Sequence, residues 1–147
     1  MTIAVGAEDG AVSVWRARDP PAFDVCLLSP PIQHTSAVRD VAWAPHMGRR
    51  YHIVASCSSG AMGQAVRIHT LHPGPDGRAF TTHEAVVDMG GVDEKSPEEV
   101  LFSSLDVNAS GSMLAVIATD QRVRVLVRDD AVDSFVQRWT LVTDEVR

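Results

Sequence analysis

Apolar residues recur along this chain at every second position or in short unbroken runs, and hardly anywhere at the three- and four-residue spacing of a helix. Residues 3–7 and 11–16 are two short runs flanking Glu8-Asp9-Gly10. In the second, Val12 and Val14 alternate with Ser13 and Trp15, which predicts a strand with two distinct faces. Asp-Gly between two such runs predicts a hairpin, because glycine tolerates positive φ. Residues 23–28 form a third apolar run, closed off by Pro20-Pro21 and Pro30-Pro31, which cannot extend a ladder. The order then recurs. Residues 38–44 lead to Pro45, 51–57 follow, and a turn over 58–64 carries Gly60 and Gly63. Residues 65–71 alternate Val66 and Ile68 with Arg67 and His69, and 83–89 make a fourth strand. A third round runs through 100–107, the turn Asn108-Ala109-Ser110-Gly111, 113–119, the turn Asp120-Gln121, 122–128 and 135–143. In 122–128, Val123, Val125 and Val127 alternate with Arg122, Arg124 and Arg128. Only Ser96-Pro97-Glu98-Glu99 has the cap and first-turn proline of a helix start, for one turn at most.

This is an internal repeat of strand, turn, strand, tight turn, strand, loop, strand. Aligning the alternating strands puts Trp15, His69 and Leu126 in register, at a spacing longer than the ~40–45 residues usual for a propeller blade. The excess falls in loops, among them an acidic stretch at 90–98. The expected organisation is one partial propeller domain over 1–147: an incomplete blade at 1–33, a full blade at 34–89, and a last blade at 99–143. Runs such as Ile53-Val54-Ala55 and Leu114-Ala115-Val116-Ile117-Ala118 fit blades covered on both faces. The first unit lacks an opening strand. Two blades and a part cannot close a ring of ~4–8 blades, and single units cannot bury their faces alone. The chain is therefore expected to belong to a longer propeller or to a half-propeller completed by another chain. A self-contained β-sandwich built from the same strands is the alternative.

Composition sharpens this. The 147 residues are 45% hydrophobic and 22% charged, which excludes an intrinsically disordered chain. Thirteen Lys and Arg against nineteen Asp and Glu give a net charge of −6, a poor match to a phosphate backbone. No window approaches the ~20 apolar residues that span a bilayer. The first ten residues, with Glu8 and Asp9, lack the basic region of a signal peptide. Two cysteines, Cys26 and Cys57, make no disulfide framework and read as reduced thiols.

Candidate chemistry is sparse. His69-x-x-His72, with His46 and His52, falls short of the four tetrahedral ligands that zinc asks for. Ser56, Ser58, His34 and Asp40 suggest a hydrolase triad by residue type, but no Gly-x-Ser-x-Gly elbow supports one. A structural His–Ser–Asp network is the better reading. Gly6, Gly10, Gly60 and Gly63 form no phosphate loop and read as turn glycines. Arg49-Arg50 with Arg39 is the one dense basic spot, a solvated loop or a contact for an acidic surface. Trp43 and Trp139 read as core.

The stretch His34-Thr35-Ser36-Ala37-Val38-Arg39-Asp40-Val41-Ala42-Trp43-Ala44-Pro45, followed by Gly48-Arg49-Arg50-Tyr51-His52-Ile53-Val54-Ala55, resembles the WD-repeat coat nucleoporins of the SEH-one and SEC-thirteen type. Val66-Arg67-Ile68-His69-Thr70-Leu71 is closer to the SEH-one branch, and Ala55-Ser56-Cys57-Ser58 leans towards the SEC-thirteen branch. The likeness is specific over residues 34–71 and architectural elsewhere. Trp15-Arg16, His69-Thr70 and Leu126-Val127 all lack the aspartate of a Trp-Asp pair. The resemblance implies an all-β fold: about two and three-quarter blades of a six-bladed open WD-repeat β-propeller, from its C-terminal half. It implies a noncatalytic scaffold of the outer-ring, Y-shaped coat subcomplex of the nuclear pore. A partner scaffold nucleoporin would donate a blade by strand complementation. Other outer-ring nucleoporins would be further partners, with no cofactor, no metal, no direct nucleic acid, no small-molecule substrate, and membrane met only through the coat. The COPII vesicle coat and a lysosomal nutrient-sensing complex are alternative settings, and an unrelated β-propeller ligand-binding module is a third reading. From blade order, Leu101, Phe102 and Leu105 are the candidate partner contacts.

Overall fold

The computed structural model describes residues 2–17, 25–27, 32–59, 65–75, 80–88, 101–129 and 137–146. Among these residues the chain is all-β, without a helical segment, and its strands form three sheets whose neighbouring strands run antiparallel, apart from one parallel edge pairing. The acidic stretch and the candidate helix start at Ser96 lie outside the described residues.

The first sheet contains β1 (Thr2–Gly6), β2 (Ala11–Ala17), β3 (Val25–Leu27) and β4 (Ile32–Gln33). Both β3 and β4 pair with β2, at its two ends, so together they take the place of one outer strand. The second sheet runs β5 (Val38–Trp43), β6 (His52–Ser58), β7 (Val66–Pro73) and β8 (Phe80–Glu84) in order. The third runs β10 (Phe102–Val107), β11 (Met113–Ala118), β12 (Arg122–Asp129) and β13 (Arg138–Val146), with β9 (Val86–Asp88) added outside β13.

The single strand expected over 83–89 is thus two. β8 pairs with β7, and the chain then turns at buried Ala85, whose N–H donates to the Ile68 carbonyl at 2.8 Å. β9 leaves for the next sheet, where it lies parallel to β13. The crossing strand stitches the second sheet to the third.

The inner strands β5 and β10 pack side by side, and β10 also lies across β6; β5 packs in the same way on β1. Strand β1 therefore occupies the place in the first sheet that β6 holds in the second. Among the described residues nothing holds the place of β5 there. Two cores result. Ile53, Ala55, Cys57, Val66 and Ile68 of the second sheet pack on Phe102, Leu105, Leu114, Val116, Leu126 and Trp139 of the third. Val12, Val14 and Ile32 of the first pack on Val54, Leu71 and Phe80 of the second. Gly6 permits the close approach of β5: a Cβ there would stand 2.5 Å from a Val38 methyl carbon.

Polar contacts hold the second and third sheets in place. The Asp40 carboxylate accepts from the Ser104 hydroxyl at 2.7 Å and from the Leu105 N–H at 3.0 Å, one inner strand to the next. Arg49 donates to the Ser110 and Pro45 carbonyls and lies against Gly111, where a Cβ would stand 2.5 Å from the guanidinium. Tyr51 accepts from Gln137 at 3.0 Å. The basic spot at Arg49 therefore serves, in part, as an internal clamp.

Candidate functional site

The three sheets are register-equivalent. β5 and β10 each carry a bulge at the same place, between Val38 and Asp40 and between Phe102 and Ser104. Beyond it Asp40 pairs with Cys57, and Ser104 with Ile117. The Ser59 N–H donates to the Ala37 carbonyl just as the Thr119 N–H donates to the Leu101 carbonyl. The alignment of Trp15, His69 and Leu126 sets Ile3↔Trp15, Val54↔His69 and Leu114↔Leu126 at one position.

With that register, one face of each sheet repeats almost residue for residue. Ala4↔Val14 in the first sheet becomes Ala55↔Ile68 in the second and Ala115↔Val125 in the third. Gly6↔Val12 becomes Cys57↔Val66 and then Ile117↔Val123. In the first sheet Val12 and Val14 are wholly buried beneath the second. In the second sheet Ile53, Ala55, Cys57, Val66, Ile68 and Thr70 are all buried, none more than 5% exposed. In the third sheet the same positions, Met113, Ala115, Ile117, Val123, Val125 and Val127, have no sheet above them among the described residues. Met113 and Ile117 are 43% and 45% exposed and the others are half-buried.

The opposite faces form a second series. Leu114, Val116 and Leu126 of the third sheet lie buried against the second, and Val54, Ser56 and His69 of the second lie buried against the first. Their equivalents in the first sheet are Ile3, Val5 and Trp15. Ile3 and Val5 are each 42% exposed, and Trp15 is half-buried with its indole N–H donating to Ser13 at 2.8 Å. Both ends of the stack therefore present apolar sheet faces, and these are the candidate functional surfaces. Apolar patches of this kind mark interaction sites or aggregation hazards.

Leu101, Phe102 and Leu105 do not lie on the open face. Phe102 and Leu105 belong to the core shared with the second sheet, and Leu101 is a half-buried residue just before β10. Strand alternation places Asp106, Met113, Ala115 and the valines of β12 on the other side. Trp139 is fully buried, and Trp43 is half-buried against the core between the first and second sheets. The covered face of the third sheet also holds a charge. Arg124 is 2% exposed, paired with Asp120 at 2.5 Å, its guanidinium carbon 5.7 Å from the centre of the Phe102 ring. The Arg124 side chain holds the Asp120 carboxyl below its ordinary range, against the opposing effect of burial.

The reactive-looking groups lie within the packing and hydrogen bonds of the sheets. His34 Nε2 lies 2.8 Å from Ser56 Oγ in a buried hydrogen bond, while Asp40 turns away towards β10. Burial works against the Asp40 carboxylate, but the N–H groups of Leu105 and Val41 and the Ser104 hydroxyl outweigh it and lower its pKa. Cys57 is a free, buried thiol whose pKa burial pushes up to about 12, so it stays protonated at neutral pH and is a weak nucleophile. His69 and His72 point to opposite faces of β7, as neighbours on a strand three residues apart must. Burial, reinforced by Arg67, lowers the His69 pKa to about 4, while the His72 ring packs against Tyr51 and His83. No group of three or more metal-ligating side chains occurs among the described residues.

No known family model matches the chain, and no curated protein matches it.

Proposed function

We propose that this chain is a noncatalytic scaffold module: a partial WD-repeat propeller of the coat-nucleoporin type, set in the outer ring of the nuclear pore, whose open third sheet receives a sheet from a partner scaffold subunit. The observation that carries the reading is the face of Met113, Ala115, Ile117, Val123, Val125 and Val127, which repeats the covered face of the second sheet position by position. A face built to lie under another sheet has a binding role before it has any other. The resemblance over residues 34–71 supports the nuclear-pore setting, and three sheets with β5 and β10 side by side support the propeller geometry. In this reading affinity comes from burying the valine face, with backbone pairing at the sheet edge setting the register.

The test is a tagged chain expressed in cells beside its Val125→Glu variant. The parent is expected to give a rim of fluorescence at the nuclear envelope and to co-purify with outer-ring nucleoporins, with both signals lost in the variant. Diffuse fluorescence without outer-ring subunits overturns the reading.

A further inference from the structure

Four of the six histidines gather at one end of the second sheet. His52 pairs with Leu71, next to His72, and strand alternation turns the two imidazoles to opposite faces. His52 lies on the first-sheet side. Its ring centre is 4.9 Å from that of His46, 5.3 Å from Trp43 and 5.4 Å from Phe80. Arg16 of the first sheet reaches over the same Phe80 ring, 5.9 Å from its centre. His72 lies on the third-sheet side, 5.3 Å from the Tyr51 ring and 5.4 Å from the His83 ring. The Tyr51 hydroxyl in turn meets Gln137, just before β13, at 3.0 Å and Arg128 of β12 at 3.5 Å. Each imidazole is thus a packing piece of one junction. We infer that this end of the second sheet is an acid-operated hinge: protonation of His52 and His72 lets it part from both neighbours while the Asp40 end holds.

A neutral imidazole packs well among aromatic rings, and an imidazolium in the same place is desolvated beside like charge. Burial first, and then His46, Arg16 and Arg49, hold His52 below the ordinary histidine value of 6.5; burial and then His83 do the same for His72. Arg128 brings a further cation to Tyr51, and Arg50 is exposed in the loop before β6. Of the described carboxylates on the packed elements, Glu84 is held by Arg67 at 3.0 Å at the level of His69. Glu8 and Asp9 sit in the turn at the far end of the first sheet, and Asp120 is bound to Arg124. Asp106 and Asp129 have the parity of the third sheet's other face. Below pH 6.5 the parted form takes up protons that the packed form refuses, so acid favours parting. The other end resists. Asp40 pairs with Cys57, further along β6, and against the effect of burial its hydrogen bonds from Leu105, Ser104 and Val41 keep it ionised below the ordinary value of 3.8. The hinge stands on the packing of the histidines and not on the nuclear-pore reading.

The experiment is amide hydrogen exchange on the purified 147-residue chain carrying His69→Leu, which removes the proton that His69 would add. Two amides report the two ends of the β5–β6 pair. Ala44 donates to the Ile53 carbonyl at 2.9 Å beside the histidines, and Ser59 donates to the Ala37 carbonyl at 3.1 Å at the other end. From pH 7 to pH 5 the opening constant at Ala44, corrected for intrinsic exchange, is expected to rise about fivefold or more, and that at Ser59 less than about twofold. His52→Gln and His72→Gln should each lower the rise at Ala44, and the double variant should abolish it. No rise at Ala44, equal rises at the two ends, or a rise that survives in the double variant overturns the inference. Where a glutamine variant loses its far-ultraviolet spectrum, His52→Phe and His72→Phe carry the same test. Loss of the nuclear-rim signal alone leaves the hinge standing.

Discussion

The covered face of the second sheet and the open face of the third differ in what lies above them, not in what they are made of. Ala55, Cys57, Val66 and Ile68 are buried because β10 and its sheet lie across them; Ala115, Ile117, Val123 and Val125 hold the same register with nothing on top among the described residues. The third sheet compared with itself makes the point from the other side. Its covered face holds a charged residue, Arg124, while its open face carries Met113, Ala115, Ile117 and the three valines of β12 beside the exposed Asp106. A buried arginine is tolerable when it is paired and its stem packs on apolar surface, and Asp120 and the Phe102 ring supply that. Burial in this molecule follows from sheet order, and hydropathy alone does not tell the inside from the outside.

Substitutions that remove side chains from the two faces should separate most widely. Trp139→Ala empties the shared core and should cost about 3–5 kcal/mol, and Ile68→Ala about 2–5 kcal/mol, in urea unfolding. At the position equivalent to Ile68, Val125→Ala should cost well under half of the Ile68 loss. Equal losses at the two positions would show that something covers the third sheet.

Acid should weaken the junction between the first and second sheets. His69 titrates near 6.5 when unfolded and, with its ring buried and Arg67 nearby, near 4 when folded. Below pH 6.5 the unfolded chain takes up a proton that the folded chain refuses. The contribution is therefore complete above pH 6.5 and is lost as the pH falls towards 4, at most about 3 kcal/mol. His52 and His72 shift in the same direction, chiefly through burial. The third sheet carries Leu126 at the equivalent position, so His69→Leu should flatten the stability profile between pH 6.5 and 4 without abolishing its slope. An unchanged profile in that variant removes His69 as a source.

A smaller effect is expected at the ion pair. Asp120→Asn should cost about 2 kcal/mol, because a buried guanidinium loses a charged acceptor. Arg124→Met should cost less, since it removes the charge together with the need to pair it. The reverse order would mean that the pair adds net stability. Smallest of all, Val127→Thr copies Thr70 of the covered face and should change stability by no more than about 0.5 kcal/mol in urea unfolding. A larger loss would mean that Val127 is already packed.

Much of this was legible along the chain. The alternation of Val12 and Val14, of Val66 and Ile68, and of the three valines of β12 marks strands, and the repeat aligns Trp15, His69 and Leu126 as the ladders do. The crossing at Ala85 was not legible, because residues 83–89 read as one extended run and only the competing claims of β7 and β13 divide it. The partner contacts expected at Phe102 and Leu105 fall on the covered side for a related reason: blade order says that a last sheet has a free face but not which parity of residues points to it.

Sequence alone settled that this is a chain of paired strands in three rounds, since side-chain period and turn chemistry are local properties. It also carried, in the recurring alanine and valine positions, the record that each sheet expects a neighbour. Which of the two parities faces that neighbour, where β9 changes sheets and why Arg124 lies inside were decided only in three dimensions. A strand is equally ready to turn either face inward, and the choice falls to the sheet that packs against it.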